Sequence, residues 1–306
     1  MPRIRFVQAD VFTDTPFCGN PLAVILDGQG LTGEQMQRIA REMNLSETTF
    51  ILPPTDPATQ AKVRIFTPQL ELPFAGHPVV GTSYVLVTEG LIPQRQGSFE
   101  IQLELGVGVL PVEITCIHGV VARVTMTQRP PQFLAVLPRE DVGRLARGLG
   151  LDPQDIVSTG LPTQLVSTGL PQLMVPVRSL AAVQAIKLDL GLLHSICQRY
   201  NTHSLYVFTR ETVTASAHVH TRLFAPLAGV LEDPATGSAS GALGAYLVQQ
   251  RVYGGEAAVI HLENEQGYEL GRPSRIFIEV ERSGSTISRV RVSGHVVKVI
   301  EGSILV

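Results

Sequence analysis

The chain has 306 residues, 44% of them hydrophobic, which is ample for about two domains with separate cores. A formal net charge of -3, no Lys/Arg cluster, no Trp and 6% aromatic residues exclude a nucleic-acid partner on electrostatic and compositional grounds. Cys18, Cys116 and Cys197 are odd in number and lack CxxC spacing, which argues against a disulfide framework or a zinc knuckle and reads as three buried thiols.

Met1 to Val7 enters strand-like alternation without the charged region, apolar stretch and cleavage site of a signal peptide. Apolar runs such as Pro21 to Leu26 or Ala242 to Val248 fall short of the roughly 18 residues of a spanning helix. A soluble cytoplasmic protein with no membrane partner is expected.

Ile4 to Phe12 reads as a strand, and the turn Phe17-Cys18-Gly19-Asn20-Pro21 leads into a second strand, Leu22 to Leu26. Thr32 and Gln35 form a capping-box pattern, and Met36, Ile39, Ala40 and Met43 recur at helical spacing, so a helix is predicted over 33–43. Asn44-Leu45-Ser46-Glu47-Thr48-Thr49-Phe50 then turns into a strand, and Val63 to Phe66 is another.

A helix follows from about Pro78 to Thr88, with Pro78 suited to the first helical position. It is apolar or small on every side, as is a second helix over Ala239 to Val248, so both are predicted to be buried all round. Strand-like alternation covers Ser98 to Ile114 and Gly119 to Thr127, and Gln128-Arg129-Pro130-Pro131 is the linker candidate. Beyond it come helices over about Asp141 to Leu149 and Leu190 to Tyr200. Strands are read at Leu173 to Val177, Ser204 to Thr209, His218 to Phe224, Val259 to Leu262, Arg275 to Glu281, Val290 to Val292 and Val296 to Ile300. Strands outnumber helices without steady βαβ alternation, which favours an α+β fold with mostly antiparallel or mixed sheets.

The chain also repeats itself. Glu71-Leu72-Pro73-Phe74-Ala75-Gly76-His77 and Glu232-Asp233-Pro234-Ala235-Thr236-Gly237-Ser238 share a Glu, a Pro two residues on, a small residue, a Gly and a polar residue opening a helix. Upstream, Phe50, Arg64, Phe66 and Pro68 recur as Phe208, Arg222, Phe224 and Pro226 at a constant offset of 158 residues. Thr168-Gly169-Leu170-Pro171 likewise echoes the Gly19 and Pro21 spacing. Two similar halves follow, 1–128 with Glu47 and His77 and 129–306 with Asp233 and Ser238, each a curled sheet around its apolar helix.

A helix mouth offers unpaired N–H groups and a positive dipole end, so two such mouths facing one another would grip a small carboxylate. Candidate side chains are His77 and Ser238 at the mouths, Asp233 before the second, and Glu47, whose apolar surroundings suit an acid/base group. Spacing alone also allows Glu47 to be a solvated strand-edge residue, His77 a plain N-cap and Asp233 ordinary turn chemistry. His218 and His220 could begin a metal site, but no third ligand has diagnostic spacing, so a solvated strand face is expected. Cys18 has no activating base nearby, and no P-loop or cofactor motif occurs.

The chain resembles the phenazine-biosynthesis isomerase (PhzF-like) family. The likeness lies in Asp10-Val11-Phe12 with Phe17-Cys18-Gly19-Asn20-Pro21, in Asn44 to Phe50, in Phe74-Ala75-Gly76-His77-Pro78 with Gly81, and in Glu232 to Ala239. The resemblance implies the diaminopimelate-epimerase-like fold of two pseudo-symmetric domains, a cofactor-independent isomerase without metal, and a homodimer. It implies that Glu47 is the acid/base, with His77, Asp233 and Ser238 beside it and Gly76 and Gly237 offering amides to the substrate carboxylate. The implied reaction is a proton shift on a dihydro-hydroxyanthranilate-like acid. Epimerases of this fold use a cysteine at each Gly-turn, where this chain has His77 and Asp233/Ser238. An amino-acid epimerase, racemase or lyase, or a non-catalytic carboxylate-binding protein, is the alternative.

Overall fold

The computed structural model describes residues 3–228 and 230–306. The chain divides into two compact units. Unit 1 comprises the residues up to Thr127 together with Ser293–Val306, and unit 2 comprises Gln128–Val292.

Unit 1 contains β1 (Arg3–Val11), β2 (Asn20–Ile25), α1 (Gly33–Met43), β3 (Glu47–Leu52), β4 (Ala61–Phe66), β5 (Glu71–Leu72), α2 (Gly76–Thr88), β6 (Gly97–Leu105), β7 (Gly108–Ile117) and β8 (Val120–Thr127). Unit 2 contains β9 (Gln132–Val136), α3 (Arg139–Gly148), α4 (Pro153–Val157), β10 (Gln164–Ser167), β11 (Pro171–Pro176), α5 (Leu180–Gln184), α6 (Leu190–Arg199), β12 (Leu205–Thr209) and β13 (Val219–Ala225). It continues with β14 (Val230–Asp233), α7 (Gly237–Gln249), β15 (Val259–Gln266), a 3-10 turn (Tyr268–Leu270) and β16 (Ser274–Ser283). β17 (Thr286–Gly294) and β18 (Val296–Leu305) complete the chain.

Each unit has a mixed sheet built by the same succession of pairings. In unit 1, β1–β2 is antiparallel, β2–β3 parallel, β3–β4 and β4–β5 antiparallel, β4–β6 parallel, and β6–β7 antiparallel. In unit 2, β10–β11 is antiparallel, β11–β12 parallel, β12–β13 and β13–β14 antiparallel, β13–β15 parallel, and β15–β16 antiparallel. α2 packs on β1, β2, β3, β7, β8 and β18, strands from both ends of that order, so the sheet of unit 1 curls around it. α7 packs on β10, β11, β15 and β16 of unit 2. The absence of a polar face on either helix thus has a direct cause in burial.

α1 sets where β3 begins. Thr32 and Gln35 form the reciprocal capping box, and Asn44, left-handed at φ 51°, ends the helix. Met36, Ile39 and Ala40 bury against Ile25, Phe50 and Phe66. Each large side chain so buried contributes about 1.5–3 kcal/mol, more than intrinsic helix propensity supplies.

Several expectations change. The last strand does not belong with 129–306: β18 pairs antiparallel with β1 from Arg3↔Leu305 to Val11↔Val296, which returns Ser293–Val306 to unit 1. The strand-like alternation over 98–114 resolves into a hairpin, β6 and β7, because Gly106 and Val107 turn between them. The segments entering the two Gly-turns are short strands, β5 and β14, rather than turns, and α4 and α5, of five residues each, are too brief to show periodicity. Pro78 is the third helical residue of α2 rather than the first, still within the turn where its missing N–H costs nothing. Among the described residues no helix is long and apolar enough to cross a membrane.

Candidate active site

In unit 1 three elements converge on one buried polar cluster. The turn before β2 places Asn20: Asp10 accepts the Phe17 N–H at 2.7 Å, and Gly19 has φ +62° with no room for a side chain, since a Cβ would lie 2.2 Å from the Val11 carbonyl. β2 and β3 run parallel with Leu22 opposite Glu47, which puts Glu47 at the mouth of the sheet. α2 opens with Gly76 and His77, its N-cap Ala75 having no side chain to satisfy the first N–H groups.

His77 is 6% exposed. Its Nδ1 lies 3.2 Å from Asn20 Nδ2 and its Nε2 lies 3.3 Å from Glu47 Oε2. The Asn20 amide nitrogen can only donate, so Nδ1 accepts and the proton of the neutral ring sits on Nε2, facing Glu47. Burial pushes the imidazole down to about 3, so the ring is neutral at ordinary pH despite the nearby carboxyl group. His77 is therefore not an N-cap. The sequence reading passed over Asn20 as a site residue, although it stands in one of the quoted motifs; its partner is 57 residues away.

The second Gly-turn is built within unit 2. Asp233 ends β14, and its Oδ2 accepts the hydroxyl of Thr236, the N-cap of α7. Gly237 and Ser238 follow as the first two helical residues, Gly237 buried and Ser238 half-buried. Gln128 Nε2 donates to the Gly237 carbonyl at 3.0 Å, and Thr168 Oγ1 donates to Gln128 Oε1 at 2.5 Å. The linker candidate thus contributes a brace to α7.

The glutamate that opens each motif is a structural pin. Arg64 donates from Nε and Nη2 to Glu71 at 2.7 Å each, and Arg222 does the same to Glu232 at 2.8 Å each. Each guanidinium also lies over a ring of its own unit, 5.1 Å above Phe66 and 4.9 Å above Phe224. The repeated Arg, Phe and Glu landmarks are one device in two copies. All four Arg and Glu residues were visible in the repeat, but nothing in the sequence paired them.

His220 overturns the expectation of a solvated strand face. It is 0% exposed, with Nδ1 2.9 Å from Glu265 and Nε2 3.0 Å from Glu269. Burial disfavours its charge, but the two carboxylates override that and raise it to about 9. His218 instead accepts the Glu263 N–H at 3.1 Å and meets the Tyr253 ring edgewise. Among the described residues no group of three His, Cys, Asp or Glu side chains is placed to hold a metal ion. Of the three thiols, Cys116 and Cys197 are buried and pushed up by that burial, while Cys18 is half-buried.

A profile of the family described as phenazine biosynthesis-like protein (PhzC-PhzF) matches residues 9–302. An uncharacterized isomerase of Mesorhizobium japonicum is 37% identical, covering 99% of each chain. The trans-2,3-dihydro-3-hydroxyanthranilate isomerase of Pseudomonas aeruginosa is 36% identical over 97% of this chain and 98% of its own. The crystal structure of a Bacillus anthracis PhzF-family phenazine biosynthesis protein superposes with a TM-score of 0.88 at 31% identity, covering 100% of both chains. A hydroxyproline epimerase from Agrobacterium vitis shares the fold alone, with a TM-score of 0.67 at 14% identity over 99% and 91% of the two chains. The chain is an enzyme of the isomerase type for which its full-length relatives are named, and it belongs to the phenazine biosynthesis-like (PhzC-PhzF) family.

Proposed function

We propose that the chain is a cofactor-independent isomerase that moves a proton between carbons of a small, cyclic, carboxylate-bearing substrate of the dihydro-hydroxyanthranilate type. Glu47 is the acid/base, and the observation that carries this role is its position 3.3 Å from a neutral His77. A protonated His77 would set a positive charge beside Glu47, whereas the neutral ring adds none. The substrate's conjugated acid makes one ring carbon acidic. Glu47 takes the proton from that carbon and returns it to another, so no net proton is consumed. Asp233 and Ser238 orient the ring, and the N–H groups of Gly76 and Gly237 hold the carboxylate and the negative charge that develops during transfer.

Proton transfer by one positioned group is worth about 10²–10⁴-fold, so orientation and electrostatics supply the remainder. The full-length likeness to a trans-2,3-dihydro-3-hydroxyanthranilate isomerase supports this substrate class. NMR of that compound in D₂O tests it. Wild type is expected to convert it with deuterium entering a ring carbon, and Glu47→Gln to bind it and fold normally while losing about 10²-fold or more in turnover. Exchange confined to the Cα of an amino acid would establish an epimerase instead, and near-normal turnover by Glu47→Gln would remove the base from its role.

A further inference from the structure

The end of β15 backs the second Gly-turn. Gln266 is fully buried there, and its side-chain amide uses every donor and acceptor it has. Nε2 donates to the Asp233 carbonyl at 2.7 Å and to Thr236 Oγ1 at 3.1 Å. Oε1 accepts from the Thr236 N–H at 3.1 Å and from the Tyr206 hydroxyl at 3.0 Å. A backbone N–H can only donate, so the orientation of this amide is fixed.

Thr236 Oγ1 passes the constraint on by donating to Asp233 Oδ2. Tyr206 is itself held by Asn264 Nδ2 at 2.7 Å, and the Ser240 hydroxyl donates to the Thr236 carbonyl at 2.8 Å. Behind the turn, Ser274 Oγ donates to the Pro234 carbonyl at 3.3 Å. Gly267, at φ +83°, lies so close that a Cβ would come within 2.5 Å of the same oxygen.

Burying this many polar groups is costly unless all are satisfied, and a satisfied network fixes one geometry. A strand that merely had to end could rely on local turn chemistry. Here a buried network converges on Asp233, Pro234 and Thr236, and what it fixes is the Asp233 carboxylate and the entry to α7.

We propose that Gln266 is a positioning residue for the reaction: through Thr236 it holds the Asp233 carboxylate and the first turn of α7 in the orientation the substrate requires. The inference rests on the isomerase reading above. Sub-ångström placement matters for such a group, since a misplacement of about 1 Å costs about 10²-fold.

The test uses the full chain, trans-2,3-dihydro-3-hydroxyanthranilate as probe, and Gln266→Met, with Thr236→Val as a second variant that removes the hydroxyl bridging Gln266 and Asp233 and keeps the Thr236 N–H on Gln266 Oε1. Each variant is expected to lose about tenfold or more in kcat/KM, most of it in kcat, while melting cooperatively. In an Asp233→Asn background the same changes are expected to cost less than about twofold, because the group they position is gone. A purely structural role lowers the melting temperature with kcat unchanged, or gives additive losses in the cycle; either result overturns the proposal. If wild type does not turn the probe over, the isomerase reading fails separately, and calorimetric binding of the same compound then decides. Binding about tenfold weaker in Gln266→Met supports positioning. Equal binding, or none by wild type, overturns it.

Discussion

The side-chain amide of Asn20 meets Nδ1 of His77 at 3.2 Å in the core of unit 1, which leaves the imidazole proton on Nε2, facing Glu47. Asn20→Leu removes the side-chain donor that meets Nδ1 and frees the ring to adopt either tautomer. Turnover is expected to fall about 10–100-fold, the usual scale for losing a group that orients a functional histidine. ¹⁵N NMR of the labelled imidazole reads the cause directly: a single Nε2–H tautomer in wild type and a mixture in the variant. A mixture already present in wild type contradicts the assignment.

His77 also makes stability depend on pH in the acid range. The unfolded chain protonates this ring near 6.5, but the folded chain does so only near 3. Between those values the unfolded state binds more protons, so stability falls as pH drops through the window. In His77→Gln the urea midpoint is expected to fall less steeply over the same range, and equal slopes would refute the shift.

His220 has the opposite sign. Its folded value of about 9 lies above the ordinary 6.5, so its contribution is complete below 6.5 and is lost as pH rises through about 9. Wild type is expected to lose stability over that alkaline span. His220→Gln starts lower, because Glu265 and Glu269 lose their shared partner, and then changes little with pH. Alkaline urea titrations of both proteins decide the matter.

The two Arg–Glu pins are alike in geometry but unequal in burial. Arg222 and Glu232 have side chains 10% and 11% exposed, against 29% and 42% for Arg64 and Glu71. Arg222 also donates to the Val183 carbonyl at 3.0 Å. Glu232→Ala leaves a largely buried guanidinium unpaired and is expected to cost about 3–5 kcal/mol. Glu71→Ala breaks a half-exposed pair and is expected to cost about 0.2–1 kcal/mol. Equal losses in thermal melts would mean that burial does not set the difference.

What the chain states about itself is what short-range physics writes. α1 occupies Gly33–Met43, the predicted span, because its capping box and its apolar stripe lie within a few residues of one another. α2 and α7 were legible as buried helices because neither has a polar side to offer water. Both Gly-turns stood out as a pattern, and family membership follows from the same motifs.

The partners of those motifs were decided only by the tertiary structure. Nothing near Asn20 points to His77, nothing near His220 points to Glu265 and Glu269, and nothing near Asp233 points to Gln266. β18 carries the same alternation as any other strand, and only its pairing with β1 assigns it to unit 1. Capping and periodicity act over about one helical turn, whereas each of these contacts depends on which strands the closing sheet brings side by side. The residue types able to do chemistry are therefore a property of the sequence, and the tautomers, charges and orientations that make them useful are a property of the fold.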